Sequence, residues 1–277
     1  MFAWISLWTI SHKEVVRFLR IWSQTLLPPV ITQSLYFVIF GGVIGSQIRG
    51  VPVTAIINDS GMREIGYMAF IVPGLVMMSV ITSSFSNVIS SFFGAKFQRN
   101  IEEILVSPTP TWVIICGYCL GGILRGLLVG LIVFLVSFFF VRPSIFNPFL
   151  LILFVFLTAC VFSLGGLLNG LFAKKFDDVS IFPTFVLTPL TYLGGVFYSV
   201  KSLPISKFNI FNSDFVLNWQ EISKFNPVVY MIDGFRYAFY GFADVSVSLS
   251  LSFLSLLTVA LFGICYYLID TGFGLRS

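Results

Sequence analysis

The sequence predicts an all-α polytopic membrane protein with six transmembrane helices, an N-terminal interfacial helix, and re-entrant or interfacial helices between spans 5 and 6. Three observations predict this. The 277 residues are 57% hydrophobic and only 10% charged, with a mean hydropathy of +0.97. A soluble domain carries about 25% charged residues. Several uncharged runs exceed the roughly 20 residues that cross the hydrocarbon core, whereas a barrel would show alternating segments of about 10. A charged island containing Lys96, Arg99, Glu102 and Glu103 is held between two such runs.

The first 23 residues carry Lys13, Arg17 and Arg20 at i, i+4, i+7, with Val15, Leu19 and Trp22 on another face and Trp4 and Trp8 upstream. A basic stripe, an apolar stripe and tryptophans describe a helix lying in the membrane interface. The remainder, 24–277, reads as one transmembrane domain. Span 1 covers about 25–46, with Pro28 and Pro29 near its start, where proline is tolerated. Span 2 covers about 66–93, and Pro73-Gly74 implies a kink or a broken first turn. Its second half is rich in Ser, Thr and Asn. These residues, Asn87 among them, either bond across helices or line a polar path.

The island follows. Phe97, Ile101, Ile104 and Leu105 share the spacing of one helical face, and Pro108 and Pro110 end the pattern. This predicts an amphipathic helix over about 95–107. Span 3, about 112–141, carries overlapping G-x-x-x-G spacings at 117/121, 122/126 and 126/130, which permit close approach of a neighbouring backbone. Arg125 lies about 13 residues past Trp112, roughly 20 Å in, so it must face a polar interior. It either contacts an anionic substrate group or pairs with carbonyls, Asn or Ser on adjacent helices.

Span 4, about 146–173, has Gly166 and Gly170 at small-residue spacing and Asn169 near its end. The loop Lys174-Lys175-Phe176-Asp177-Asp178 places two aspartates where a helix N-terminus favours them. Span 5, about 180–200, contains Pro183, Pro189 and Gly194-Gly195 and is irregular. In the outer segment, 201–244, the stretch 227–242 is too short and polar for a comfortable span. A re-entrant or interfacial helix fits it, with Asp233 and Arg236 paired at i, i+3. Span 6, about 245–269, begins with strand-like alternation. A lone strand cannot satisfy its backbone in lipid, so a helix is expected. Lys/Arg placement only weakly favours both termini inside, since Lys201, Lys207, Lys224 and Arg236 all lie in the longest opposite loop.

Much chemistry is excluded. The net charge is +4 without a basic run that suggests nucleic acid. The cysteines (116, 119, 160, 265) lie in apolar runs, so the C-x-x-C at 116–119 reads as two buried thiols. His12 is the only histidine, which disfavours a histidine metal site or a Ser-His-Asp triad. No cleavable signal is visible. No G-x-x-x-x-G-K-[ST] occurs, so ATP hydrolysis and its Mg would belong to a partner. Paired intramembrane carboxylates and internal repeats, marks of secondary carriers, are missing. A membrane half driven by a separate motor fits best. A motor-independent channel or carrier and a membrane scaffold remain open.

Several blocks carry a resemblance: Phe70-Ile-Val-Pro-Gly-Leu-Val-Met-Met-Ser-Val, Ser91-Phe-Phe-Gly-Ala-Lys-Phe-Gln-Arg-Asn-Ile-Glu-Glu, Phe176-Asp-Asp, Leu187-Thr-Pro-Leu-Thr-Tyr-Leu-Gly-Gly-Val-Phe-Tyr-Ser, Asn226-Pro-Val-Val-Tyr-Met-Ile-Asp-Gly-Phe-Arg-Tyr and Gly274-Leu-Arg-Ser. Over nearly its whole length the chain resembles the type-2 export class of ABC transporter permeases, in particular YadH-type bacterial inner-membrane permeases. Stretches 49–61 and 205–217 look like outer-face insertions. The resemblance implies a homodimer in the lipid of the bacterial inner membrane, with two ABC ATPase subunits on the cytoplasmic side. Those subunits bind ATP and Mg, and this chain holds no cofactor or metal. It implies export of a lipid, glycan or drug-like substrate. It makes the island a coupling helix, with Phe97, Gln98, Arg99, Asn100, Glu102 and Glu103 in contact and Lys174, Lys175, Asp177 and Asp178 nearby. Arg125, Asn87 and Asn169 are the candidates for the translocation path.

Overall fold

The protein is described from a computed structural model covering residues 2–44, 56–58, 61–63, 65–203, 205–210 and 213–274. The chain opens with α1 (Phe2–Arg20), α2 (Trp22–Thr25) and α3 (Leu27–Tyr36), the last continuing as a π-helix over Phe37–Ile44. A short hairpin, β1 (Ile56–Asn58) and β2 (Gly61–Arg63), precedes the long helices α4 (Tyr67–Phe97), α6 (Thr111–Ser137) and α7 (Pro148–Phe172), with α5 (Asn100–Val106) between the first two. Then come α8 (Phe176–Phe182), a π turn at Pro183–Leu187 and α9 (Thr188–Tyr192). The outer segment contains a 3-10 turn at Val200–Ser202, the hairpin β3 (Ile205–Ile210) and β4 (Ser213–Asn218), α10 (Trp219–Ser223) and α11 (Pro227–Tyr240). The last helix is α12 (Val247–Asp270).

The membrane part is helical, as expected. Among the described residues four helices, α4, α6, α7 and α12, are long and apolar enough to cross a membrane. The segments read as spans 1 and 5 are instead composites of short α- and π-helix. Prolines explain this in part. Pro183 and Pro189 withdraw amide donors within about two turns, and a wider turn lets the backbone find other partners. The alternation at the start of span 6 is overridden, and α12 is helical. The expected insertion at 49–61 lies largely outside the described residues. The one at 205–217 folds as the β3–β4 hairpin, in register Phe208↔Phe215.

α4 forms the centre of the bundle, its face packed on α6 and α7. α4 is helical from Tyr67 through Pro73, so its first turn is not broken. Proline has no amide to give Ala69, four residues earlier. The hydroxyl of Tyr240 donates to that carbonyl instead, at 2.7 Å. The Ser-rich half of α4 faces neighbouring helices: Ser79, Ser83, Ser84, Asn87 and Ser91 are all buried.

The glycines of α6 serve three neighbours, α1, α4 and, through Ser163 at Gly122, α7. A Cβ added at Gly117 would lie 2.6 Å from Ile10, and one at Gly121 would lie 2.5 Å from Glu14, so this pair admits α1. Gly126 and Gly130 meet Ser84 and Val80 of α4, and Gly122 meets Val88. Contacts with the N-terminal segment advance along α6. Ile10 lies on Gly117, Glu14 on Gly121, the Thr25 carbonyl on Arg125, and Phe37 stacks on Phe140 at 5.4 Å. Residues 10–37 therefore run beside α6 in its own direction.

This packing gives the N-terminal helix a buried face beside the two stripes expected of it. Its inward face is Ile10, Glu14 and Phe18. Leu19 and Trp22 of the expected apolar stripe are exposed, with Trp4 and Trp8. Arg17 of the expected basic stripe turns inward to α4.

On α7, a Cβ at Gly166 would sit 2.5 Å from the Phe85 carbonyl oxygen, whereas at Gly165 the nearest atom is a Phe85 ring carbon at 3.7 Å. Backbone cannot yield as a side chain can, so Gly166→Ala is expected to cost about 1–3 kcal/mol by overpacking. Gly165→Ala should be near neutral. Thermal unfolding of the two variants in one detergent checks this, and equal melting temperatures would refute it.

At the end of the bundle opposite the island, α11 caps α4 and α7. Asp233 and Arg236 pair at 3.8 Å, as their spacing predicts. Arg236 also donates to the Gly195 carbonyl at 2.8 Å and lies 3.9 Å from the Phe70 ring centroid. Asp233 accepts from the Val245 amide at 2.7 Å.

Candidate functional site

The charged island does not form one helix over 95–107. Lys96 and Phe97 complete α4, Arg99 adopts a left-handed conformation (φ 62°), and α5 starts at Asn100. Among the described residues Arg99 is the only non-glycine with positive φ, a conformation that ordinary side chains disfavour. Two tertiary contacts hold the break. Lys96 Nζ donates to the carbonyls of Leu171 and Ala173, both at 2.8 Å. A lysine there satisfies the orphan carbonyls at the end of α7 and opposes its dipole. Beyond the break, Ile101 turns into the core and is buried.

The second charged loop meets the island through aromatic rings. Phe176 lies 4.5 Å from Phe97 and 5.1 Å from Phe93, edge to face with both. The amides of Lys174 and Lys175 donate to Asp178 Oδ2, each at 2.9 Å. These two bonds, with the lysine charges beside them, hold the Asp178 carboxyl below its usual range. The C-terminal turn joins the same end. Thr111 donates to Asp270 at 3.3 Å, and a Cβ at Gly274 would sit 2.5 Å from the Leu171 carbonyl.

Together these parts enclose a groove of about 900 Å³, with aromatic walls (Phe93, Phe97, Phe172, Phe273) and a charged rim of Arg99, Glu102 and Lys174. Every residue expected from the island (Phe97, Gln98, Arg99, Asn100, Glu102, Glu103) is exposed here, with Lys174, Lys175 and Asp177, while Asp178 is half-buried. Val106 and Phe97 are 87% and 59% exposed. The groove end thus presents exposed apolar and charged side chains side by side. Glu102 and Glu103 occupy the first turn of α5, where the dipole favours them. Among the described residues no cluster of His, Cys, Asp and Glu could hold a metal, and the cysteines are free thiols.

A family model described as ABC-2 type transporter matches residues 5–240, a stretch that includes the island and the 174–178 loop. The chain belongs to the ABC-2 type transporter family. It is 54% identical over 274 residues to the inner membrane transport permease YadH of Escherichia coli strain K12, covering 99% of this chain and 98% of that protein. It is 22% identical over 260 residues to nodulation protein J of Rhizobium leguminosarum bv. viciae, covering 94% and 90%. This chain is thus a multi-pass transport permease of the ABC-2 family, which is not a catalytic family and implies an ATPase partner.

Among the described residues no hydrogen bond joins Arg125, Asn87 and Asn169, the polar residues expected on a translocation path, to one another. Arg125 donates to the Thr25 carbonyl at 3.0 Å through one terminal nitrogen. Asn87 is fully buried and accepts from Arg17 through Oδ1 at 2.9 Å and through its carbonyl at 3.0 Å. Asn169 sits near the end of α7, its carbonyl bonded to the Ala173 amide.

Sequence reasoning missed Glu14. It is 0% exposed, accepts from the Ser91 hydroxyl at 2.6 Å, and pairs with Arg17 at 3.2 Å. The signal was available: Glu14 is the only acid in α1 and lies three residues before Arg17. It was obscured because Arg17 also fits a basic stripe.

Proposed function

We propose that this ABC-2 permease is the membrane-spanning subunit of an ATP-driven exporter of a lipid, glycan or drug-like substrate. Two copies pair, and two separate ATPase subunits dock on the island end, which faces the cytoplasm of a bacterial inner membrane. The observation that carries this reading is the groove end itself. The island, the 174–178 loop and the C-terminal turn converge there, with exposed charges and aromatic rings. The sequence has no nucleotide-binding loop of its own, which gives that surface a motor to receive. The 54% identity to an inner membrane transport permease supports the location.

Four long helices and the two composite segments make six crossings in this reading. The parallel course of residues 10–37 beside α6 supports placing the N-terminus and the island on one side. Nucleotide-driven closure of the ATPases pushes α5 and Phe176, and the bundles of the two copies rock apart.

Affinity purification of the tagged permease, followed by native mass spectrometry, tests the assembly. A particle of two permeases and two Walker-motif ATPases is expected. A permease that moves solute down a gradient in liposomes, alone and without ATP, would overturn the reading in favour of a channel or carrier.

A further inference from the structure

Glu14 presents a problem that the docking surface does not explain. A carboxylate withdrawn from water is retained only where partners compensate it. Here the partners come from two helices. Ser91 of α4 donates to Glu14 Oε1 at 2.6 Å, and Arg17 of α1 donates to Oε2 at 3.2 Å. Arg17 then reaches back to α4, to Asn87 through both acceptors and to Ser90 Oγ at 3.5 Å. Asn87, Ser90 and Ser91 lie at i, i+3, i+4 on one face, so a single patch of α4 grips a single turn of α1. Gly121 of α6 leaves the room for it, since an added Cβ would lie 2.5 Å from Glu14 Cβ and 3.3 Å from Asn87 Nδ2.

Hydrogen bonds and ion pairs are directional, so this contact fixes the orientation of α1 on α4 where an apolar contact would let it slide. α4 is continuous from the joint to Phe97 at the island, about 15 Å at 1.5 Å per residue. On the far side of the joint, α1 leads through α2 to the Thr25 carbonyl, which holds Arg125 of α6. The polar contacts run in the order island, α4, α1, α6, beside the direct packing of α4 on the glycines of α6.

We propose that Glu14 and Arg17 are positioning residues for transport: they lock α1 to α4, so that displacement of the island carries the N-terminal segment and, through Thr25 and Arg125, α6. This rests on the reading of the island end as the ATPase dock. Energetic coupling of this kind needs a cycle of variants to establish it.

The experiment uses the complete permease–ATPase complex in nanodiscs, with ATP as the probe. The readouts are complex yield, melting temperature, and the ATPase rate relative to the ATPase subunit alone. Glu14→Ala is expected to leave the complex assembled and reduce the stimulation about fivefold or more, the lower range of typical coupling between sites. Glu14→Gln, which still accepts from Ser91, is expected to recover more than half of the loss. Ser91→Ala removes only the hydroxyl and serves where Glu14→Ala fails to assemble; a substantial loss of stimulation is expected there too. The double variant Glu14→Ala/Ser91→Ala should be no worse than Glu14→Ala.

Lower melting temperature with unchanged stimulation would overturn the proposal and leave Glu14 as structural glue. Additive losses in the double variant would overturn the joint. A wild-type complex that shows no stimulation would overturn the docking reading, and this proposal with it. A stimulated wild type with unaffected Glu14 and Ser91 variants overturns this proposal alone.

Discussion

Arg236→Ala is expected to destabilise the folded permease by about 3–5 kcal/mol, the usual effect of removing one partner from a buried ion pair. Arg236 and Asp233 are each 2% exposed, and three kinds of contact end on the guanidinium. It faces Asp233, donates to the Gly195 carbonyl and stacks on Phe70. Truncation leaves Asp233 buried with only backbone hydrogen bonds from Asp244 and Val245. Arg236→Lys keeps the charge but loses the planar stack and the fork geometry, so an intermediate loss is expected. Asp233→Asn/Arg236→Met, which removes both charges and keeps apolar volume, should be milder than Arg236→Ala. Fluorescence-monitored thermal unfolding gives the ranking. An Arg236→Ala protein as stable as wild type, or a double variant worse than the single, would refute the account of this clamp.

Charge reversal at Glu102→Lys/Glu103→Lys should weaken ATPase binding about tenfold or more, within the usual range for coupled sites, with little change in permease yield. Both side chains are exposed. They lie in the first turn of α5, so reversal also costs about 0.3–1 kcal/mol per charge against the helix dipole. Glu102→Gln/Glu103→Gln separates the effects, because it removes the charges without opposing the dipole. Weak co-purification of both variants is expected, more severe for the reversal. Full co-purification of the reversed variant would remove these glutamates from the docking surface.

Much of this fold was legible because hydrophobic length is a local property. The runs that form α4, α6, α7 and α12 are visible residue by residue, and so is the Asp233–Arg236 pair, since i, i+3 proximity needs only a helix. The composite segments were harder. Pro183 and Pro189 announced irregularity, but not which wider turns would accommodate it. The break at Arg99 was invisible, because Phe97, Ile101, Ile104 and Leu105 keep perfect helical spacing across it. What breaks the helix is remote: Lys96 anchors on the end of α7, and Ile101 is drawn into the core. The same holds for Glu14, whose inward direction is set by the gap at Gly121, and for the Tyr240 hydroxyl that repairs the backbone at Ala69. The charged island and the 174–178 loop were visible along the chain, and the family resemblance alone suggested a docking role for them. Only the packing of Phe93, Phe97 and Phe176 shows that the two charged loops share one surface.

The central claim is that the groove end receives force from an ATPase. The most direct measurement is the ATP hydrolysis rate of the partner ATPase, alone and in complex with this permease, in the same nanodiscs. The account predicts a higher rate in the complex, lost in the Glu102→Lys/Glu103→Lys variant at concentrations that restore binding. An identical rate with and without the permease, or a reversed variant that stimulates as well as wild type, would contradict it.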